Sequence, residues 1–275
     1  MSLRKTINLK SISLASIFHI LFQCAITGSV LSILASSVFA SNFSIIPTSL
    51  ELRASVKSGV FSVINSGNEK LNCQVEVKEW SQDADGKDVY TDTKDIIFFP
   101  RIMTIEPNEQ RAIRVGIKVP ASTKEKTYRI FVEEIPSQKK EPEDKTSAKQ
   151  IKAALTIAIR YAVPIFIAPL RPQQNASIEK VDLSNGMATA IIKNAGNVHI
   201  KLLSVAFKGK AADGKELFSK DVTGWYVLQG LSRQYETTVP NEACRDLATI
   251  EVSAQTVNFT LNKRTLTVDR NMCPQ

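Results

Sequence analysis

Along Ile151–Val163, IKAALTIAIRYAV, large apolar side chains fall on every second position: Leu155, Ile157, Ile159, Tyr161 and Val163. Threonine, alanine and arginine stand between them. A period of two is the signature of a β-strand with one apolar face. Just before it, the polar, charge-rich stretch Ser137–Gln150 reads as a solvent-exposed loop. Similar runs of four to nine β-formers, separated by turn signals, continue along the chain from residue 41. No long helical period interrupts them, and the pattern predicts an all-β protein.

The pattern also echoes itself. Val63-Ile64-Asn65-Ser66-Gly67-Asn68 is followed by Ala84-Asp85-Gly86-Lys87, and Ile191-Ile192-Lys193-Asn194-Ala195-Gly196-Asn197 by Ala212-Asp213-Gly214-Lys215. The Asn-x-Gly-Asn turns lie 129 residues apart and the Ala-Asp-Gly-Lys turns 128 apart. Asn, Asp and Gly tolerate the positive φ that tight hairpins demand. Two matching turns at matching spacing predict two related β-sandwiches of roughly one hundred residues or more, the size of an immunoglobulin-like domain. They span residues 41–168 and 169–275. Between them, Ala168-Pro169-Leu170-Arg171-Pro172-Gln173 carries two prolines that stiffen the connection and hold the domains at an angle.

Residues 1–40 stand apart from this plan. Arg4, Lys5 and Lys10 make a basic start, Ile12–Leu34 is mostly apolar, and Val38-Phe39-Ala40 has the small residues of a signal-peptidase site. The segment is long for a signal peptide, and an uncleaved membrane anchor is the alternative. Lipid attachment at Cys24 does not fit, because Gln23 precedes it and apolar residues follow. The reading is a cleaved signal peptide and an exported protein. Without the leader, 32 basic residues face 27 acidic ones, a net +5. The basic residues are scattered among acids, with no aromatic-interleaved patch of the nucleic-acid type.

Three cysteines remain after export, in an oxidising compartment. Cys244 and Cys273 flank two β-rich runs, Leu247–Gln255 and Arg264–Asp269, and a terminal hairpin would bring their ends together as a disulfide. Cys73, in the alternating strand Leu71–Val77, reads as a buried free thiol. No CxxC or His-rich cluster suggests a metal, and no cofactor is expected. The exported part has one histidine, His199, on the expected strand Val198–Val205, and no G-x-S-x-G, H-E-x-x-H or P-loop. Glu133 and Glu134 are adjacent and point to opposite faces of a strand. An enzyme is not expected.

Four further motifs stand out: Phe43-Ser44-Ile45-Ile46-Pro47, Val60–Gly67, Val77-Lys78-Glu79-Trp80 closing a strand, and Ile105–Val115. They resemble motifs of the periplasmic pilus-assembly chaperones of the chaperone–usher pathway, most closely their archaic, spore-coat-protein-like branch. The most specific is Tyr128-Arg129-Ile130 leading to Glu133-Glu134-Ile135-Pro136, with the alternating strand directly after. The resemblance is strong over the first domain and loose in the second. It implies a boomerang of two immunoglobulin-like sandwiches in the periplasm, with pilin subunits and an outer-membrane usher as partners, and no nucleic acid or small-molecule substrate.

The resemblance further implies donor-strand complementation. Leu155, Ile157 and Ile159 are the side chains inserted into an incomplete pilin, with Ala153 and Val163 at the ends of the row. In the better-studied branch, an Arg on the first strand and a Lys on the donor strand grip the pilin's terminal carboxylate. Here those positions are Ser49 and Pro164, which carry no charge. A terminal carboxylate still needs a charge-assisted partner, and the candidates are Arg101, Arg160 and Arg114. Arg129 reads as structural, its aliphatic stem on the sheet. The rival reading is a structural or adhesive surface protein of immunoglobulin-like modules, which would polymerise or bind ligands itself.

Overall fold

The computed structural model describes residues 43–83, 85–120, 122–136 and 158–274. The expected leader, the loop Ser137–Gln150, and Ala153, Leu155 and Ile157 lie outside the described residues.

The described residues of the first half form β1 (Phe43–Ile46), β2 (Leu50–Leu52), β3 (Ser58–Asn65), β4 (Leu71–Gln82), β5 (Asp88–Asp92), β6 (Ile96–Phe99), β7 (Ile102–Ile105), β8 (Gln110–Ile117), β9 (Lys126–Glu134) and β10 (Arg160–Ile167). One sheet runs β1-β3-β8-β6 and the other β2-β10-β9-β4-β5, with β7 also on β4. The chain changes sheets at Pro47, between β1 and β2, and again at Pro100, between β6 and β7. Proline suits these corners because it has no N–H to leave unpaired there. Alternate residues of the two sheets, among them Phe61, Val63 and Ile113 facing Val75, Ile130 and Ile165, close one apolar core.

The second half contains β11 (Ala176–Ser184), β12 (Met187–Asn194), β13 (Ile200–Lys210), β14 (Glu216–Thr223), β15 (Tyr226–Val227), β16 (Ser232–Thr238), the short helix α1 (Asn241–Arg245), β17 (Thr249–Thr256) and β18 (Arg264–Thr267). Its sheets run β11-β12-β16 and β14-β13-β17-β18, with β15 on β13. They enclose a separate core built on residues such as Ile192, Leu202, Phe207 and Val252.

The repeated turns have repeated chemistry. Asn65 accepts the Gly67 N–H on Oδ1 and donates from Nδ2 to the carbonyls of Glu69 and Ile105. Asn194 accepts the Gly196 N–H and donates to the carbonyls of Val198 and Val227. Each buried amide thus pins a turn to backbone across its sandwich. In the hairpins, Asp83 N–H meets Lys87 O and Gly86 N–H meets Asp83 O; Ala211 with Lys215 and Gly214 with Ala211 repeat both bonds. Gly86 and Gly214 hold φ of 76° and 86°, where an L side chain would be strained.

Cys244 on α1 and Cys273 are joined in a disulfide, their Cα atoms 5.8 Å apart. It ties the chain end beneath β12, where Gly186 N–H meets Met272 O. Cys73 is free and buried. Burial first, and then the Glu134 carboxylate, push its thiol up to about 12.

β9 and the end of β10 are buried on both faces rather than alternately. Tyr128, Ile130, Val163 and Ile165 face the first core. Phe166, on the other face of β10, joins Trp80, Tyr226 and Leu228 in a third apolar cluster bridging the two halves. Trp80 does not close β4, as its motif suggested. The strand continues to Gln82, whose side chain reaches into the second half: Nε2 donates to Tyr226 O at 3.0 Å and Oε1 accepts from Leu228 N at 3.1 Å. Arg129 is structural, through its guanidinium rather than its stem: it lies 4.0 Å over the Trp80 ring and pairs with Asp88 at 3.3 Å.

The proline-bearing connection is fixed by more than its prolines. Asn197 Nδ2 donates to Thr123 O and Arg171 O, its Oδ1 accepts from Gln173 N, and its carbonyl accepts from Glu125 N.

Candidate functional site

β10 pairs with β9 along its whole length, from Arg160 with Glu133 to Ile167 with Lys126. On its other edge, β2 covers only Ile165–Ile167. The edge of Arg160–Pro164 therefore has no strand partner among the described residues. β1 ends its own sheet and, among the described residues, pairs only with β3. Phe43 of β1 and Tyr161 of β10 meet edge to face, ring centroids 4.9 Å apart, which brings the two open edges side by side. Unpaired backbone groups along such edges are a template for another strand.

The structure describes two of the five expected donor-strand residues. Ile159 is half-buried against the first core, and its carbonyl accepts from Glu134 N at 2.9 Å. Val163 is 7% exposed and belongs to that core. It was expected at the end of the lent row, but it packs in the protein's own interior. The period of two explains the change: Ile159, Tyr161, Val163, Ile165 and Ile167 share a face, and from Val163 onward this sandwich fills the space over it.

The three candidate arginines are not gathered at one point. Arg160 sits on the outer face of β10, 4.1 Å over the Phe131 ring, with carboxylate oxygens of Glu76 and Glu133 at 3.4 and 3.5 Å. Its charge is already answered. Arg101, at the β6–β7 corner, borders a hollow of about 290 Å3 lined also by Glu76, Phe131 and Glu133. Pairing puts Arg160, Glu133, Gln74 and Ile102 in one cross-strand row, so Arg101 and Arg160 flank the same end of the sheet. That is the end at which β10 begins. Arg114 lies on the opposite sheet, in register between Val60 and Phe99. Arg101 and Arg114 have no carboxylate partner among the described residues.

Around Arg114 the outer face is apolar. Phe99 is 74% exposed, Val60, Ile97 and Ile46 are also exposed, and Ile102, 69% exposed, continues the patch at the corner where β7 enters the other sheet. Sandwich outer faces are normally polar, so a patch of this kind marks an interaction surface.

Between the two halves lies a hollow of about 260 Å3, lined in part by Ser49, Phe166, His199, Lys201 and Tyr226. None of the three arginines borders it. Its cation is Lys201, whose Nζ is 5.2 Å from the Tyr226 ring centroid. Nothing in the sequence singled out Lys201, because its place beside Ser49 arises only when the second half packs on the first. No group of three His, Cys, Asp or Glu among the described residues is arranged to hold a metal ion.

Residues 42–173 match the family model of the pili and flagellar-assembly chaperones, PapD N-terminal domain. The first domain belongs to the pilus-assembly chaperone family. Solved chaperone structures share the whole two-domain fold. A chain from the CsuC–CsuE chaperone–tip adhesion subunit pre-assembly complex of the archaic chaperone-usher Csu pili of Acinetobacter baumannii matches with a TM-score of 0.54 and 18% identity, covering 82% of this chain and 96% of that one. The YadV chaperone matches with a TM-score of 0.54 and 15% identity, covering 82% of this chain and 100% of the other. No curated protein matches the chain by sequence. The two sandwiches of this protein are thus immunoglobulin-like domains, and the open edges of β1 and β10 lie in the domain that the family model describes.

Proposed function

We propose that the protein is a periplasmic chaperone of the archaic branch, which captures pilin subunits by donor-strand complementation and delivers them to an outer-membrane usher. One observation carries the reading: the open edge of Arg160–Pro164 beside the open edge of β1, directly downstream of the alternating residues Leu155, Ile157 and Ile159. Strand addition is the established mode of chaperone–pilin complexes: main-chain bonds supply affinity and alternate side chains fill pockets. Burying three large aliphatic side chains contributes about 1.5–3 kcal/mol each, about 5–9 kcal/mol before ordering costs. The client holds the folding energy, so no nucleotide or cofactor is required, and this reading assigns the protein no catalysis.

The uncharged Ser49 and Pro164 support the archaic branch. With Arg160 already paired, Arg101 is the leading anchor for the client's terminal carboxylate and Arg114 the second. The exposed face around Phe99 and Ile102 supports a docking surface for the usher. The decisive experiment is co-expression with candidate pilins from the same genome, followed by periplasmic extraction and co-purification. Wild type should retain pilin, and Ile157→Asp should lose it while keeping a native circular dichroism spectrum. Normal pilin recovery by Ile157→Asp would refute the donor-strand assignment. Arg101→Ala should weaken capture by about ten-fold or more, the scale of one charge-assisted hydrogen bond; unchanged affinity removes it from the site.

A further inference from the structure

His199 lies just before β13 in the second domain, yet its hydrogen bonds and its stacked ring partner are in the first, with Tyr226 of its own domain 5.6 Å away between ring centroids. Its backbone N–H donates to Glu125 Oε2 at 2.8 Å, and its Nδ1 is 3.0 and 2.9 Å from Glu125 Oε1 and Oε2. The Glu125 side chain is only 4% exposed. A carboxylate has no proton of its own to offer, so Nδ1 carries the hydrogen in this contact. Glu125 is held in turn, its N–H on the carbonyl of Asn197. The imidazole then stacks on the Phe166 ring, centroids 3.6 Å apart and planes 13° from parallel.

Phe166 makes this more than a tie between domains, because it belongs to β10. Its neighbours Ile165 and Ile167 point into the first core, while Phe166 points the other way, under the imidazole. Sliding β10 by two residues preserves its inward and outward faces, and apolar filling of the core tolerates such a slip better than a slip of one. A slip of two would place Pro164 or Ala168 beneath the imidazole, and neither can stack.

We infer that His199, oriented by Glu125, is a positioning residue that fixes β10 along its axis through Phe166. The inference rests on the reading of β10 as the root of the lent strand. It gives the second domain a part in capturing the client that requires no contact with the client.

The experiment uses full-length protein: wild type, His199→Ala, His199→Gln and the remote control Lys215→Ala. Amide hydrogen exchange is followed by peptide in β10 and in β12 and β16, and the dissociation rate is measured for a pilin that wild type retains. His199→Ala should speed exchange in β10 about ten-fold, the scale of one lost ring contact, with β12 and β16 unchanged. Pilin should leave several-fold faster. His199→Gln can donate to Glu125 but has no ring, so it should behave like His199→Ala. Restoration of β10 protection and pilin retention by His199→Gln would overturn the inference, as would equal values for His199→Ala and wild type, or faster exchange spread over both domains. If His199→Ala fails to fold, the comparison of His199→Gln with wild type decides the question in the same way. If wild type retains no pilin, the chaperone reading fails on that arm, while the exchange data still decide whether His199 controls β10.

Discussion

Replacing Gln82 with alanine probes the junction between the domains at one side chain. Gln82 is buried at the end of β4 and serves Tyr226 O and Leu228 N of the second domain, with Asp88 Oδ1 as a third partner at 3.1 Å. Alanine removes both links across the junction and leaves a carbonyl and an N–H without partners. An orphaned buried group costs about 1–3 kcal/mol, so the pair should cost about 2–6 kcal/mol, less if water enters. The assay is built into the molecule. Its two tryptophans, Trp80 and Trp225, both lie at this junction, Trp80 only 1% exposed. In a urea titration, tryptophan emission follows separation of the domains and far-ultraviolet circular dichroism follows the sandwiches. The emission transition of Gln82→Ala should move to lower urea by the equivalent of that cost. Gln82→Glu should be worse still, because a carboxylate cannot donate to Tyr226 O and adds charge beside Asp88. An alanine variant within about 0.5 kcal/mol of wild type, or a glutamate variant equal to it, would refute the reasoning.

Three further outcomes follow from the structure. Removing the disulfide by Cys244→Ala with Cys273→Ala frees a loop of 29 residues and should cost about 3.6 kcal/mol in urea unfolding; a loss under about 1 kcal/mol would contradict the loop-entropy account. Cys73, buried and with its thiol pushed up to about 12, should resist iodoacetamide at neutral pH until urea unfolds the first domain; rapid native labelling would show that the strand opens. The Tyr128 hydroxyl, and then Lys126, hold the Asp95 carboxyl below the usual range. A carboxyl depressed in the folded state stabilises above its unfolded value and loses that contribution as pH falls through the folded one. Wild type should therefore lose stability on acidification more steeply than Asp95→Asn, and parallel acid curves would remove Asp95 from the account.

The open edges and the apolar patch show where reading residues succeeds and where it stops. The alternation through Ile159 and Val163 predicts a strand and its apolar face, because a period of two is local geometry. It does not say which sandwich that face serves, and Val163 belongs to this protein's own core. The arginines show the same limit. As residues, Arg101, Arg114 and Arg160 are alike; only the fold, which sets Glu76 and Glu133 beside Arg160, tells it from the two with no carboxylate partner among the described residues. One signal of the junction does stand in the sequence. Pro164-Ile165-Phe166-Ile167 and Tyr128–Val132 are nearly continuous apolar runs rather than alternating ones, the mark of strands buried on both faces.

By itself, the sequence determined the elements whose causes are local: strands by alternation, turns by Asn, Asp and Gly, and the duplicated plan by repeated turns. It also determined the disulfide, because the hairpin between Cys244 and Cys273 closes over a short stretch of chain. Tertiary structure alone decided the junction. His199 meets Glu125 and Phe166, Gln82 meets Tyr226, and Lys201 comes beside Ser49. Such partners lie far apart along the chain, and no local periodicity links them. They meet because Trp80 of β4 and Phe166 of β10 make an apolar patch on the outer face of the first sandwich, and burying it against Tyr226 and Leu228 removes that surface from water.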